Sequence, residues 1–145
     1  MPDAGCSATP LARKLGHRPG QTALLVGLPE PLAGALLATA FAAVWRLGPR
    51  EPLPDTLPPL DLAHLFATER AVMALWLGRL RPRLAPAGML WASWPKKAAR
   101  VPTDLTEDVI RDLALPLGLV DVKVCAVDAV WSGLKLVIRK ELRRS

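Results

Sequence analysis

The run Ser93-Trp94-Pro95-Lys96-Lys97 and the pair Trp131-Ser132 carry the residue types best suited to chemistry with a ligand. The ammonium groups of Lys96 and Lys97 supply positive charge. The hydroxyls of Ser93 and Ser132 supply hydrogen bonds, and the indoles of Trp94 and Trp131 supply flat stacking faces. Together they suit an anionic small molecule with a flat apolar part. Each group also has a purely structural use. Lys96 or Lys97 could pair with Asp104 or Asp108, Trp91 and Trp94 fall on opposite faces of one strand, and Trp131 could plug the base of a cleft.

Other chemistries find little support. Cys6 and Cys125 are far apart and show no CxxC spacing, so neither zinc nor a disulfide framework is expected. Cys125 lies in an apolar strand and reads as core packing. His17 falls in the turn His17-Arg18-Pro19-Gly20 and reads as exposed. His64 alternates with Leu62 and Phe66 on one strand face and reads as a hydrogen-bonded core histidine. Neither histidine stands near an evident nucleophile, so no Ser/His/Asp or Cys/His arrangement is visible.

The elements that must position these groups follow from pattern. Thr9 caps and Pro10 opens a short helix that Gly16 stops. Thr22 to Gly27 is an apolar run, a strand buried on both faces. An apolar helix over Leu32 to Ala43 and a short strand over Val44 to Leu47 follow. Gly48 to Pro59 holds five prolines and reads as an irregular surface connection. Leu60 to Phe66 is a strand, and a helix capped by Thr68 runs through Leu80, with Arg79, Arg81 and Arg83 at its negative end. Leu84 to Gly88 turns into a strand over Met89 to Trp94. Asp104 and Glu107 have capping-box spacing for a helix from Leu105 to Leu117. Strands follow at Leu119 to Val127 and Trp131 to Arg139. Their link is too short for a parallel crossover, so the last strand runs antiparallel. Alternating strands and helices imply one α/β domain over residues 1–145, with a mostly parallel sheet and helices on both faces. Residues 1–20 form its N-terminal helix and turn.

The chain has 145 residues, 51% of them hydrophobic, enough for a real core. Its net charge of +6 favours anionic partners, but the basic residues are scattered as on an ordinary solvated surface. Nucleic acid is thus an alternative partner to a small anion. The uncharged stretch Pro31 to Trp45 is too short to span a bilayer, and the N-terminus has no signal pattern, so a cytoplasmic protein without a membrane partner is expected. Oligomeric state is left open.

A parallel sheet closed by an antiparallel hairpin resembles the Rossmann-like layout of class I methyltransferases. Leu15-Gly16-His17-Arg18-Pro19-Gly20, the entry Leu80 to Leu90, the helix from Leu105 to Gly118 and the terminal hairpin carry that resemblance. Nearly the whole chain also resembles a bacterial family, domain of unknown function three-zero-five-two. The residues are Ser7-Ala8-Thr9-Pro10-Leu11, Trp94-Pro95-Lys96-Lys97, Asp104-Leu105-Thr106-Glu107, Gly118 to Asp128 and Trp131-Ser132-Gly133-Leu134-Lys135. That resemblance implies a small bacterial protein and assigns no catalytic residue. The methyltransferase layout implies a last strand inserted beside the fifth. It would bring Trp131 and Ser132 to Ser93, Trp94, Lys96 and Lys97 at the carboxyl edge of the sheet, where ligands of such folds bind. The helix that follows adds no anion site, because Asp104, Glu107 and Asp108 occupy its positive end.

The methyltransferase layout also implies a glycine-rich loop for S-adenosylmethionine after the first strand and an acidic residue for its ribose after the second. The loop here is Gly27-Leu28-Pro29-Glu30-Pro31, with one glycine and two prolines that lack an N–H. The acidic position carries Trp45-Arg46-Leu47. Glu51 or Asp55 could reach from the connection, with nothing in the sequence to fix either. Between Leu47 and Leu60 there is no room for a further helix and strand, so one βα unit is expected to be missing. The expectation is a truncated, Rossmann-like domain, non-catalytic or binding an anionic small molecule at the carboxyl edge of the sheet, with no cofactor expected, candidate ligand residues Ser93, Trp94, Lys96, Lys97, Trp131 and Ser132, and Gly27 as a weak cofactor contact. The alternatives are a degenerate S-adenosylmethionine-dependent methyltransferase, a nucleic-acid-associated protein, and an interaction module acting through its helices or as an oligomer.

Overall fold

A computed structural model describes residues 10–143. Cys6 and the expected cap Thr9 lie outside them. Six strands form one sheet: β1 (Thr22–Val26), β2 (Ala43–Leu47), β3 (Leu60–Phe66), β4 (Leu84–Pro95), β5 (Leu119–Ala126) and β6 (Trp131–Ile138). Four helices accompany them: α1 (Leu11–Lys14), α2 (Glu30–Leu37), α3 (Arg70–Leu80) and α4 (Glu107–Ala114). The strand order is β2-β1-β3-β4-β6-β5. Strands β2, β1, β3 and β4 pair in parallel, and β6 pairs antiparallel with both β4 and β5. The last strand is therefore inserted beside β4, as expected. Strand β2 forms one edge, and among the described residues no further βα unit lies outside it.

Two apolar layers sandwich the sheet. Met73, Trp76, Leu77 and Leu80 of α3 and Ile110 and Ala114 of α4 pack on one face against Leu24, Leu65, Leu90, Ala92 and Leu134. Leu15, with Leu32 and Leu36 of α2, packs on the other face against Leu25, Leu62, Phe66 and Trp91. The central strands β1 and β3 are covered on both sides, which is why they are largely apolar, with Asp61 exposed near the start of β3.

Several boundaries differ from the sequence reading. Helix α2 stops at Leu37, and residues 38–42 return to the start of β2. The expected turn at Leu84 to Gly88 is part of β4. There β4 moves from Leu84 to Met89 while β3 moves only from Leu60 to Leu62. Gly88 sits in this bulge, where a Cβ would lie 2.5 Å from the Leu60 carbonyl oxygen. Thr106, not Asp104, caps α4, its hydroxyl accepting the Val109 N–H at 3.2 Å. Asp104 instead accepts the Arg70 N–H at 2.6 Å and so begins α3, where Thr68 was expected to cap. The helix of α4 ends at Ala114, and Leu115 to Leu117 form a tighter 3₁₀ turn.

The proline-rich connection is irregular but anchored. The buried Trp76 indole N–H donates to the Pro49 carbonyl at 2.8 Å. The Arg83 guanidinium donates to the carbonyls of Pro54 and Asp55 at 3.0 and 3.1 Å. Leu57 is buried in the α3 face. These ties hold the connection against α3 and place its first residues beside the carboxyl ends of β1 and β2.

Candidate functional site

The carboxyl ends of β1, β2 and β3 open onto two adjoining chambers that share Gly27 and Pro49. The first, of about 490 Å³, is lined by Gly27, Leu28, Arg46, Leu47, Gly48, Pro49 and Glu51. The second, of about 340 Å³, adds Arg50, Phe66, Ala67, Thr68, Glu69, Val72 and Trp131.

Gly27 forms the shared floor. Its φ of +69° is a left-handed conformation, and a Cβ there would lie 2.6 Å from the Phe66 carbonyl oxygen. The close approach of two strand ends therefore demands glycine before any ligand is considered. Its N–H donates to the Leu47 carbonyl at 2.8 Å, which fixes the end of β1 to the end of β2. Arg46 crosses the chamber mouth. Its guanidinium donates to the Leu28 carbonyl at 3.4 Å and pairs with Glu30 at 3.2 Å. Glu51 folds back onto the end of β2, where its Oε1 accepts the Gly48 N–H at 2.5 Å. Its other oxygen has no protein donor among the described residues. The sequence offered nothing to hold Glu51, yet the structure holds it beside the end of β2.

The residues singled out from sequence are neighbours in the sheet but do not share one surface. Trp94 pairs with Ser132, Pro95 with Trp131, and Ser93 with Gly133. The Lys96 N–H donates to the Val130 carbonyl at 2.7 Å, tying the loop after β4 to the β5–β6 turn. Trp131 is partly exposed, lines the second chamber and packs edge-on against Phe66 with ring centres 5.4 Å apart. Trp94 faces the opposite side and is buried in the α3 layer. Ser93 is fully buried. Ser132 is partly exposed but does not line either chamber. Lys97 is exposed and Lys96 partly so. Neither pairs with an acid among the described residues: Asp104 is engaged at α3, and Asp108 pairs with Arg111.

Ser93 belongs instead to a buried polar chain. His64 Nε2 lies 2.8 Å from Ser93 Oγ, and His64 Nδ1 lies 3.4 Å from His17 Nε2. His64 is the hydrogen-bonded core histidine expected. His17 corrects the reading of an exposed turn: it is 4% exposed, folded under the segment after α1 and 6.0 Å from the Phe41 ring. The absence of any Ser/His pairing is corrected as well. Strand order brings β3 and β4 side by side, and two residues 29 positions apart meet across them. Alternation along each strand could have suggested it, but only once the two strands were known to be neighbours.

His17 Nδ1 is buried without a partner. A bare lone pair is cheaper to bury than an orphaned N–H. The favoured arrangement therefore has His17 Nε2–H donating to His64, and His64 Nε2–H donating to Ser93. Burial lowers the His17 pKa from 6.5 to about 4. Burial, and then the neighbouring His17, hold His64 well below its ordinary range. Both rings are neutral at physiological pH. Phe66 stacks on His64 with ring centres 4.2 Å apart, and together with Trp131 lies beside the chain toward the chamber.

No protein-family model and no curated protein matches the chain. Solved structures do. A ribosomal protein L11 methylase from Lactobacillus delbrueckii subsp. bulgaricus superposes with a TM-score of 0.64 at 14% identity, covering 89% of this chain and 77% of that one. A SAM-dependent methyltransferase from Aquifex aeolicus gives 0.65 at 15% identity, covering 88% of each chain. The fold is that of class I S-adenosylmethionine-dependent methyltransferases. The same fold also carries a pericyclic reaction enzyme, matched with a TM-score of 0.56 at 11% identity over 96% of this chain and 49% of that one. Fold alone therefore does not say what is done to a ligand.

Proposed function

We propose that this methyltransferase-fold domain binds an adenosyl ligand, of which S-adenosylmethionine and its demethylated product are the reference members, in the first chamber. The single observation that carries this reading is Glu51. Its carboxylate is held at the end of β2 with one oxygen free, an arrangement suited to accept hydrogen bonds from a ribose diol. Gly27 admits close approach of the ligand to the strand end. The mixture of Arg46, Arg50, Glu51 and Glu69 around the two chambers suits a ligand that carries both charges better than a bare anion. Pro29 and Pro31 remove two loop donors, so the contact to this loop is weaker than a glycine-rich loop would make. When bound, S-adenosylmethionine supplies an electrophilic methyl group.

Calorimetry with S-adenosylmethionine and S-adenosylhomocysteine tests the reading. Binding is expected, and Glu51→Gln should weaken it about tenfold, the worth of a charge-assisted hydrogen bond. The glutamine carbonyl can still accept the Gly48 N–H, so the fold is preserved. Absence of heat with either compound at millimolar concentration sinks the proposal.

A second reading rests on a separate observation. Lys96 and Lys97 have no acid partner among the described residues and stand on a loop tied to the Trp131 turn. They would receive an anionic small molecule at the same sheet edge. Lys96→Ala with Lys97→Ala should leave the melting temperature unchanged and remove any stabilisation by simple anions. If the double variant unfolds, the lysines are structural.

A further inference from the structure

We infer that the carboxyl edge of the sheet is a landing surface for single-stranded nucleic acid, with Trp131 as the stacking face. Three cations, Lys96, Lys97 and Arg100, stand on the 3₁₀ turn after β4. Arg50 stands on the connection after β2 and lines the chamber that Trp131 walls. Among the described residues none of the four pairs with a carboxylate. Nearby acids are mostly engaged. Asp104 accepts the Arg70 N–H, and Asp128 accepts the N–H groups of Val130 and Trp131 at 2.8 and 2.7 Å. Glu51, with one oxygen free, and Glu69 remain on the chamber walls.

Spacing decides the class of ligand. The order β2-β1-β3-β4 places the ends of β2 and β4 three strand spacings apart, about 14 Å. One phosphate group cannot reach both sets of cations. A chain of phosphates can, and the partly exposed Trp131 indole, paired beside the end of β4, walls the same chamber as Arg50. Cations spread for repeating negative charge, with an aromatic face beside them, are the pattern by which proteins hold single strands without reading sequence. Arg50 and Trp131 line the second chamber, whereas the three cations of the turn after β4 lie outside both chambers.

The test is fluorescence anisotropy of a labelled single-stranded RNA of about 12 nucleotides, titrated across salt concentrations from about 50 to about 200 mM. Binding that weakens steeply with salt is expected. Replacing Lys96, Lys97 and Arg100 together by Ala should reduce the salt slope by about 2, and Arg50→Ala by about 0.7. Trp131→Leu should cost about tenfold in affinity. The control is Lys123→Ala with Lys135→Ala, two cations of the β5–β6 pair away from this edge, which should change little. No binding at about 50 mM salt overturns the inference. So does an equal loss in the control, which would mean diffuse charge. Equal affinity for polyglutamate of the same net charge overturns it too, since the indole would then have no part. The charge variants are all on exposed or partly exposed side chains, so they decide the matter even if Trp131→Leu misfolds.

Discussion

The buried chain His17–His64–Ser93 sets the behaviour of this protein toward acid. In the unfolded chain an imidazole titrates near 6.5, whereas folded His17 titrates near 4. The unfolded state therefore takes up protons first as pH falls. The stabilisation is complete above about pH 6.5 and is lost progressively down to about pH 4. For His17 alone this amounts to about 2 kcal/mol between pH 7.5 and pH 5, with His64 adding in the same direction. Urea denaturation at the two pH values should show a lower midpoint at the acid one. A midpoint that does not move would mean that the rings are not buried as neutral species. Ser93→Ala leaves the His64 Nε2–H without an acceptor and should cost about 1–3 kcal/mol at neutral pH. At this scale the residue types were visible in the sequence, but the partnership was not. Nothing along the chain says that position 17 is folded beneath position 64.

Element boundaries were legible where the apolar pattern is continuous. Strand β3 runs over Leu60–Phe66 as read, because a strand covered on both faces is mostly apolar and proline stops it at one end. Helix caps were misread because several residues near each start can cap. Around α4, Asp104 and Thr106 both have suitable side chains. Which one caps depends on the path of the incoming loop, and that path is set by the contact with α3. Thr106→Ala should destabilise the domain by about 1 kcal/mol, the worth of a lost N-cap. Asp104→Ala should cost a similar amount by freeing the Arg70 N–H. Thermal denaturation of both variants checks this. If Thr106→Ala is neutral while Asp104→Ala is costly, the loop has a different path from the one described. Asp104→Ala should also loosen the segment joining the Lys96–Arg100 turn to α3, since Thr103 and Asp104 hold it there together.

Across the whole molecule, the sheet is protected unevenly. β1 and β3 are paired on both sides and covered on both faces, whereas β2 has strand pairing only to β1. Hydrogen exchange should therefore be slowest in β3 and markedly faster in β2, where Val44 is 43% exposed. Equal protection in both strands would mean that β2 is covered in solution by another surface. Alternation of strands and helices, a short final link and too few residues between Leu47 and Leu60 were enough to foresee a parallel sheet, an inserted antiparallel strand and a missing βα unit. Those are matters of chain length and local periodicity, which are written along the sequence. The site is different in kind. Glu51 reaches the end of β2 because Trp76 anchors Pro49 from a distant helix. Ser93 meets His64 because two strands are neighbours, and Trp94 turns away from Trp131 because Trp131 pairs with Pro95, and successive residues of β4 face opposite sides. The run Ser93 to Lys97 and the pair Trp131-Ser132 were recognisable as chemically able residues. Only the tertiary structure divided them among a buried polar chain, an apolar layer, a chamber wall and a charged rim, because burial and pairing depend on what lies across the sheet and not on what comes next in the chain.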